Sequence, residues 1–145
     1  MSAPTSMPTS MPTSMPTSMP TRMAYQYVVL RCVPRPEREE FLNVGVVLHC
    51  QSADFLDVVW NVDADRLRAL DAGVDVDQVC DSLTFVDLVC RGDERAGAAA
   101  RQSLGQRFGF LKAPRSTVLQ PGPVHGGVTE DPARQLEHLR ERLVG

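Results

Sequence analysis

Lysine is nearly missing from this chain: Lys112 is the only one in 145 residues. Methionine is absent after Met23, although the chain holds six. Aromatic residues make up 6 %, with one Trp and two Tyr, too few for a row of ring faces on which single-stranded nucleic acid could stack. The net charge is −3, so binding of nucleic acid or anionic membrane by bulk charge is not expected. No apolar run is long enough to span a bilayer, and no apolar block at the N-terminus reads as a secretion signal. The Walker phosphate loop, Gly-x-Gly-x-x-Gly, His-Glu-x-x-His and the Gly-x-Ser-x-Gly nucleophile elbow are all missing. The four cysteines, Cys32, Cys50, Cys80 and Cys90, form no C-x-x-C pair and sit in apolar stretches. They read as free, buried thiols of a cytoplasmic protein. A zinc site from Cys32, His49 and Cys50 lacks the paired ligand spacing of such sites. No metal and no cofactor is expected.

What is present begins with a repeat. Thr-Ser-Met-Pro recurs four times from Thr5 to Pro20. Proline at every fourth position removes amide donors and blocks helix, and no periodic apolar face exists to be buried. Residues 1–22 are therefore expected to be a disordered, low-complexity tail, with starts at Met1 and Met23 both open. Removing them should leave the thermal midpoint unchanged in calorimetry; a drop of several degrees would contradict this.

Residues 23–145 are long enough for a single domain with its own core. Tyr25–Val33 is β-branched and aromatic and reads as a buried strand, ended by Pro34-Arg35-Pro36. Glu37–Glu40 reads as an exposed acidic turn. Asn43–Cys50 and Phe55–Val62 are further strands, with Gly45 marking a bulge or close approach. Short links between the three predict an antiparallel meander. Asp63 can cap a short helix ending before Gly73. Val76, Val79, Cys80, Leu83, Val86 and Cys90 recur at helical spacing, with Gly92 beyond them. Ala98–Leu104 is expected to be a short helix, and Phe108–Leu111 and Arg115–Leu119 to be strands. Pro132–Val144 has a Leu136, Leu139 and Leu143 stripe, an Asp131 cap and basic residues at its C-terminal end. The expected fold is α+β: an antiparallel sheet of about five strands with helices on one face.

One stretch looks unlike core filling. Ala113–Pro132 opens with Arg115, Ser116 and Thr117, passes through Pro121-Gly122-Pro123, and carries Gln120, His125, Gly126 and Gly127. The prolines stiffen the backbone, whereas the glycines allow close approach. A guanidinium beside two hydroxyls suits a phosphate or carboxylate. Charge is segregated along the chain: Glu37 to Glu94 holds 14 acids and 4 bases, and Arg95 to Thr129 holds five bases and no acid. That pattern fits either a local positive face or complementarity between two halves that dock on each other. His125 could act with Ser116 or Thr117 only if a third group, Asp131 being nearest, oriented it. His49 and His138 read as structural or solvated.

YQYVVLRCVPRPEREEFLNVGVVL followed by FGFLKAPRSTVLQPGPVHGGVTEDP resembles the bacterial domain-of-unknown-function family 3037, over about Tyr25 to Val144. The family's polar motif positions fall on Arg31, Asn43, Arg115, Ser116, Thr117, Gln120, His125, Thr129 and Asp131. Gly127 matches a family glycine, and Gly126 stands where the family more usually has Thr. The tetrapeptide tail has no counterpart in the family. The resemblance implies no activity, and it implies a HipA-like kinase as a partner.

Two function classes follow. The first is an accessory or binding module whose surface is built from Arg115, Ser116, Thr117, Gln120 and His125, with Asn43 supporting the loop, for an anionic ligand or a protein partner. The second is a small enzyme acting on a phosphate ester or nucleotide, with Arg115 holding the anion and His125 as acid or base. An enzyme needs its polar groups converging in one hollow, whereas a module can spread them.

Overall fold

The computed structural model describes residues 21–115 and 117–144, so the repeat and Ser116 lie outside the described residues. Strands β1 (Met23–Cys32), β2 (Leu42–Cys50) and β3 (Phe55–Trp60) form the expected antiparallel meander. Their links are single 3-10 turns, Pro36–Arg38 and Gln51–Ala53, closed by Glu39 and Asp54 at φ 56 and 52. Helix α1 (Ala64–Leu70) starts where Asp63 accepts the Arg66 amide at 3.1 Å. Helix α2 (Val76–Arg91) ends at left-handed Gly92, φ 67. A 3-10 stretch, Glu94–Arg101, is broken at Gly97 and leads into α3 (Leu104–Lys112). Strands β4 (Leu119–Pro121) and β5 (His125–Thr129) then pair with the two halves of β1, and α4 (Pro132–Leu143) follows.

The class, the antiparallel five-stranded sheet and the single domain agree with the sequence reading. The placement of helices does not: they cover both faces of the sheet. On one face Val28, Leu30, Val44, Val47, Leu56 and Val58 pack with Val79, Leu83 and Val86 of α2 and Phe108 of α3. On the other, Tyr25, Val46, Leu48 and Cys50 pack with Leu136 and Leu139 of α4. The physical reason lies in β2, where Val46, Val47 and Leu48 are all fully buried. A strand apolar at successive positions buries both its faces, and each needs a cover.

Two expected strands are corrected. Phe108–Leu111 lies in α3, started by a reciprocal cap: the Gln106 amide donates to Ser103 Oγ at 3.3 Å, and the Ser103 amide to Gln106 Oε1 at 3.1 Å. Phe108 and Leu111, three apart, both face the core. Of the described residues in Arg115–Leu119, only Leu119 lies in a strand. Beyond Leu119, where the sequence predicts no strand, the same stretch supplies β4 and β5, which pair with the side of β1 that the meander leaves open. Gly45 is where the β1–β2 register shifts. A Cβ on it would lie 3.1 Å from the Val59 carbonyl oxygen, so a larger residue there would press on the backbone of strand β3.

Candidate functional site

Arg115 leaves the end of α3 and folds back on it. Its Nη2 donates to the Phe110 carbonyl, and its guanidinium lies over the Phe110 ring, 4.4 Å from the centroid. Burial pulls its pKa below the usual guanidinium value, and it has no acidic partner among the described residues. Beside it is a hollow of about 390 Å³ lined by Gln78, Asp81, Ser82, Phe85 and Val86 of α2 and by Arg115, Thr117, Val118 and Leu119. Phe85 is 39 % exposed there and meets Phe110 edge to face at 6.3 Å. Thr117 Oγ1 donates to the Leu119 carbonyl at 2.8 Å, and Gln120 Nε2 to the Thr117 carbonyl at 2.9 Å, which fixes the approach to β4.

A second group forms across the sheet. Arg31 of β1 stands opposite Asn43 of β2 on one side and Gln120 of β4 on the other. Its guanidinium is sandwiched. The Phe41 ring lies 4.3 Å from Cζ, and Gly122 is so close that a Cβ there would sit 3.1 Å from Cζ and Nε. Gly122 thus permits the Pro-Gly-Pro segment to cross Arg31 while its amide bonds Val29 O at 2.8 Å. Asn43, expected to support the loop, instead donates through Nδ2 to Leu143 O at 3.0 Å and holds the end of α4. Arg31 Nε and Asn43 Oδ1 are buried without a hydrogen-bond partner among the described residues.

His125 belongs to neither group. It opens β5 opposite Tyr27, and the two rings stack at 5.2 Å. This stack lies on the α4 face of the sheet, whereas the Arg115 hollow lies on the α2 and α3 face. Asp131, the nearest orienting group for His125 in sequence, accepts the Arg134 amide at 3.2 Å as the cap of α4. Thr129 Oγ1 takes the Asp131 amide at 3.1 Å. The described polar positions of Ala113–Pro132 are therefore split among the Arg115 hollow, the Arg31 row, the Tyr27 stack and the start of α4. Their side chains missed in sequence are Phe85 and Phe110 at the hollow and Phe41 over Arg31. Phe85 carried a signal, since it falls off the Val79, Leu83 and Val86 stripe of its helix.

The basic segment is likewise taken apart. Arg95 pairs with Asp93 at 2.8 Å, and that pairing holds Asp93 down to about 2. Arg107 Nη1 donates to Val89 O and Cys90 O at 3.0 and 2.7 Å, closing the negative end of α2. Lys112 leans on the Phe108 ring, 5.4 Å from its centroid. Arg107 at least serves docking of the two halves.

The thiols differ in exposure. Cys32 and Cys50 are fully buried on opposite faces of the sheet, and Cys90 is buried in α2. Cys80 is half-buried. Burial pushes Cys32 up to about 11 and Cys90 up as well. A thiol raised in the fold stabilises it fully below its unfolded value near 9.0, and the contribution is lost as pH rises toward about 11. In native protein at neutral pH a maleimide should label Cys80 first, and Cys32 and Cys90 only after unfolding. Peptide mapping checks this; equal labelling of all four would contradict it.

No curated protein and no solved structure matches the chain. The family model described as "Protein of unknown function (DUF3037)" matches residues 27–144, and by that match the chain belongs to the DUF3037 family.

Proposed function

We propose that this protein is a non-enzymatic accessory or binding module that engages a protein partner at the Arg115 hollow. The observation that carries the reading is an arginine with no acidic partner among the described residues, braced on Phe110 next to the exposed ring of Phe85. Arginine and aromatic side chains set in a hollow are what anchors of protein interfaces are made of. The enzyme reading needs Arg115 and His125 to converge on one reacting group. Their separation to opposite faces of the sheet favours the module. An incoming carboxylate would find the guanidinium fork already oriented, and an apolar side chain would cover Phe85.

A HipA-like kinase is the partner class to test first. Calorimetric titration of a purified HipA-like kinase with the wild-type chain is expected to give a saturable isotherm. Arg115→Lys should weaken it by about 1.5–3 kcal/mol, the value of a hydrogen bond to a charged group. Phe85→Ala should weaken it about tenfold or more. Circular dichroism should match wild type for both. Unaltered affinity in both variants would remove the hollow from the interface. Phosphate-ester turnover abolished by His125→Ala would overturn the module in favour of the enzyme.

A further inference from the structure

The two outer edges of the sheet are treated differently. On β3, the Asp57 carboxylate accepts the Val58 amide of the next residue at 2.8 Å. That amide points away from β2. The Asn61 amide bonds Val44 O at 2.9 Å, so Trp60, Val58 and Leu56 turn their backbone groups outward. An outward donor satisfied by its own neighbour blunts an edge against further pairing.

On β5 no such device is present among the described residues. The alternation continues across the sheet: odd positions of β2 bond β1, and odd positions of β1 bond the next strand, as the Gly122 amide on Val29 O shows. His125, Gly127 and Thr129, opposite Tyr27, Tyr25 and Met23, therefore turn inward. Gly126 and Val128 present their amides and carbonyls to the outside. The strand carries no acid and no lysine or arginine, and Val128 is 59 % exposed. Ala24 and Gln26, the cross-strand partners of Val128 and Gly126, are exposed too, so among the described residues nothing covers this face of the strand pair.

We propose that the free edge of β5 pairs antiparallel with β5 of a second copy of this chain, the two-fold axis passing beside Gly127. In this register Gly126 of each copy stands opposite Val128 of the other, and the two outward-facing residues exchange both backbone hydrogen bonds. Val128 fills the space above a residue with no side chain, so the large and small positions match themselves. Gly127 meets its own copy at the narrow, non-hydrogen-bonded position. His125 falls opposite Thr129 of the other copy with that copy's Asp131 on the diagonal, which brings the only titratable side chain of β5 toward a carboxylate rather than a like charge. Shifting the register by one residue would set outward amides against inward ones. The pairing thus joins two five-stranded sheets into one.

Light scattering on the full chain at about 100 µM, above the dissociation constants of most stable homodimers, should give twice the 15.9 kDa monomer mass. Val128→Lys places a charge on the edge, and Val128→Pro removes an amide that β1 does not use. Both should return the mass to 15.9 kDa with the far-ultraviolet circular dichroism of wild type. Hydrogen exchange on wild type gives a readout that needs no variant. The Gly126 and Val128 amides should gain protection as concentration rises, while those of His125 and Gly127 are protected throughout. A wild type that is monomeric at every concentration overturns the proposal. So does a dimer that survives both substitutions, or an edge that takes only extended peptides of another protein.

Discussion

Phe108→Ala should destabilise the domain by about 3–5 kcal/mol, the usual cost of truncating a fully buried ring. Phe108 is 1 % exposed and is the largest fully buried side chain among the described residues. It enters the core from α3, and its ring meets His49 at 5.0 Å from β2, so the cavity would open between helix and sheet. Lys112 would also lose the ring beneath it. Chemical denaturation read by far-ultraviolet circular dichroism measures the loss through the shift in midpoint at constant slope. Phe110→Ala is the contrast. Phe110 is only half-buried, and its ring braces Arg115 and Phe85. It should cost much less stability and act instead on partner binding. Equal losses for the two would show that α3 does not divide its faces between core and hollow.

The second large effect is expected at Gly127. A Cβ there would lie 2.6 Å from Tyr25 Oη and 2.7 Å from Cζ, distances no packed side chain tolerates. Tyr25 cannot simply swing away, because its ring is buried against Leu136 and Leu139 and its hydroxyl accepts from Gln135 Nε2 at 3.0 Å. Gly127→Ala should therefore cost about 1–3 kcal/mol through overpacking. Gly126→Ala is milder, since its nearest non-neighbour is the Tyr25 carbonyl oxygen at 3.5 Å, an ordinary contact. Tyr25→Leu should lower the penalty of Gly127→Ala when the two are combined, a coupling that a double-mutant cycle reads directly. Additive losses would place the strain elsewhere.

Much of this architecture is legible in the residues. Asp63 and Asp131 announce helix starts, Gly92 a helix end and Gly45 a disturbed register, because caps and glycines act locally. Phe108–Leu111 misleads because Phe-Gly-Phe-Leu alternates like a strand. The Ser103-x-x-Gln106 cap, also in the sequence, is what decides for helix. Strand β5 is hidden for the opposite reason: His-Gly-Gly-Val-Thr has poor intrinsic strand character, and only the open side of β1 makes it one. The candidate site was legible in part. Arg115 and Thr117 do line one hollow, whereas His125 and Gln120 belong elsewhere, since adjacency along a loop says nothing about which face of a sheet each side chain takes. The Arg31 row depends on register between residues about ninety apart, which no local pattern carries.

That same register governs the order in which the chain can be built. Strand β1 bonds on one side to residues 42–50 and on the other to residues 119–129. During synthesis the meander can close as soon as β3 has emerged, but the second side of β1 must wait until nearly the whole chain has been made. Until then the backbone groups of Tyr25, Tyr27 and Val29 stand open on a strand already fixed in place, a template for any other unpaired strand nearby. Nascent chains stalled or truncated before residue 119 should aggregate, whereas full-length chains should close that side in a late, slow phase set by the long loop it must shut.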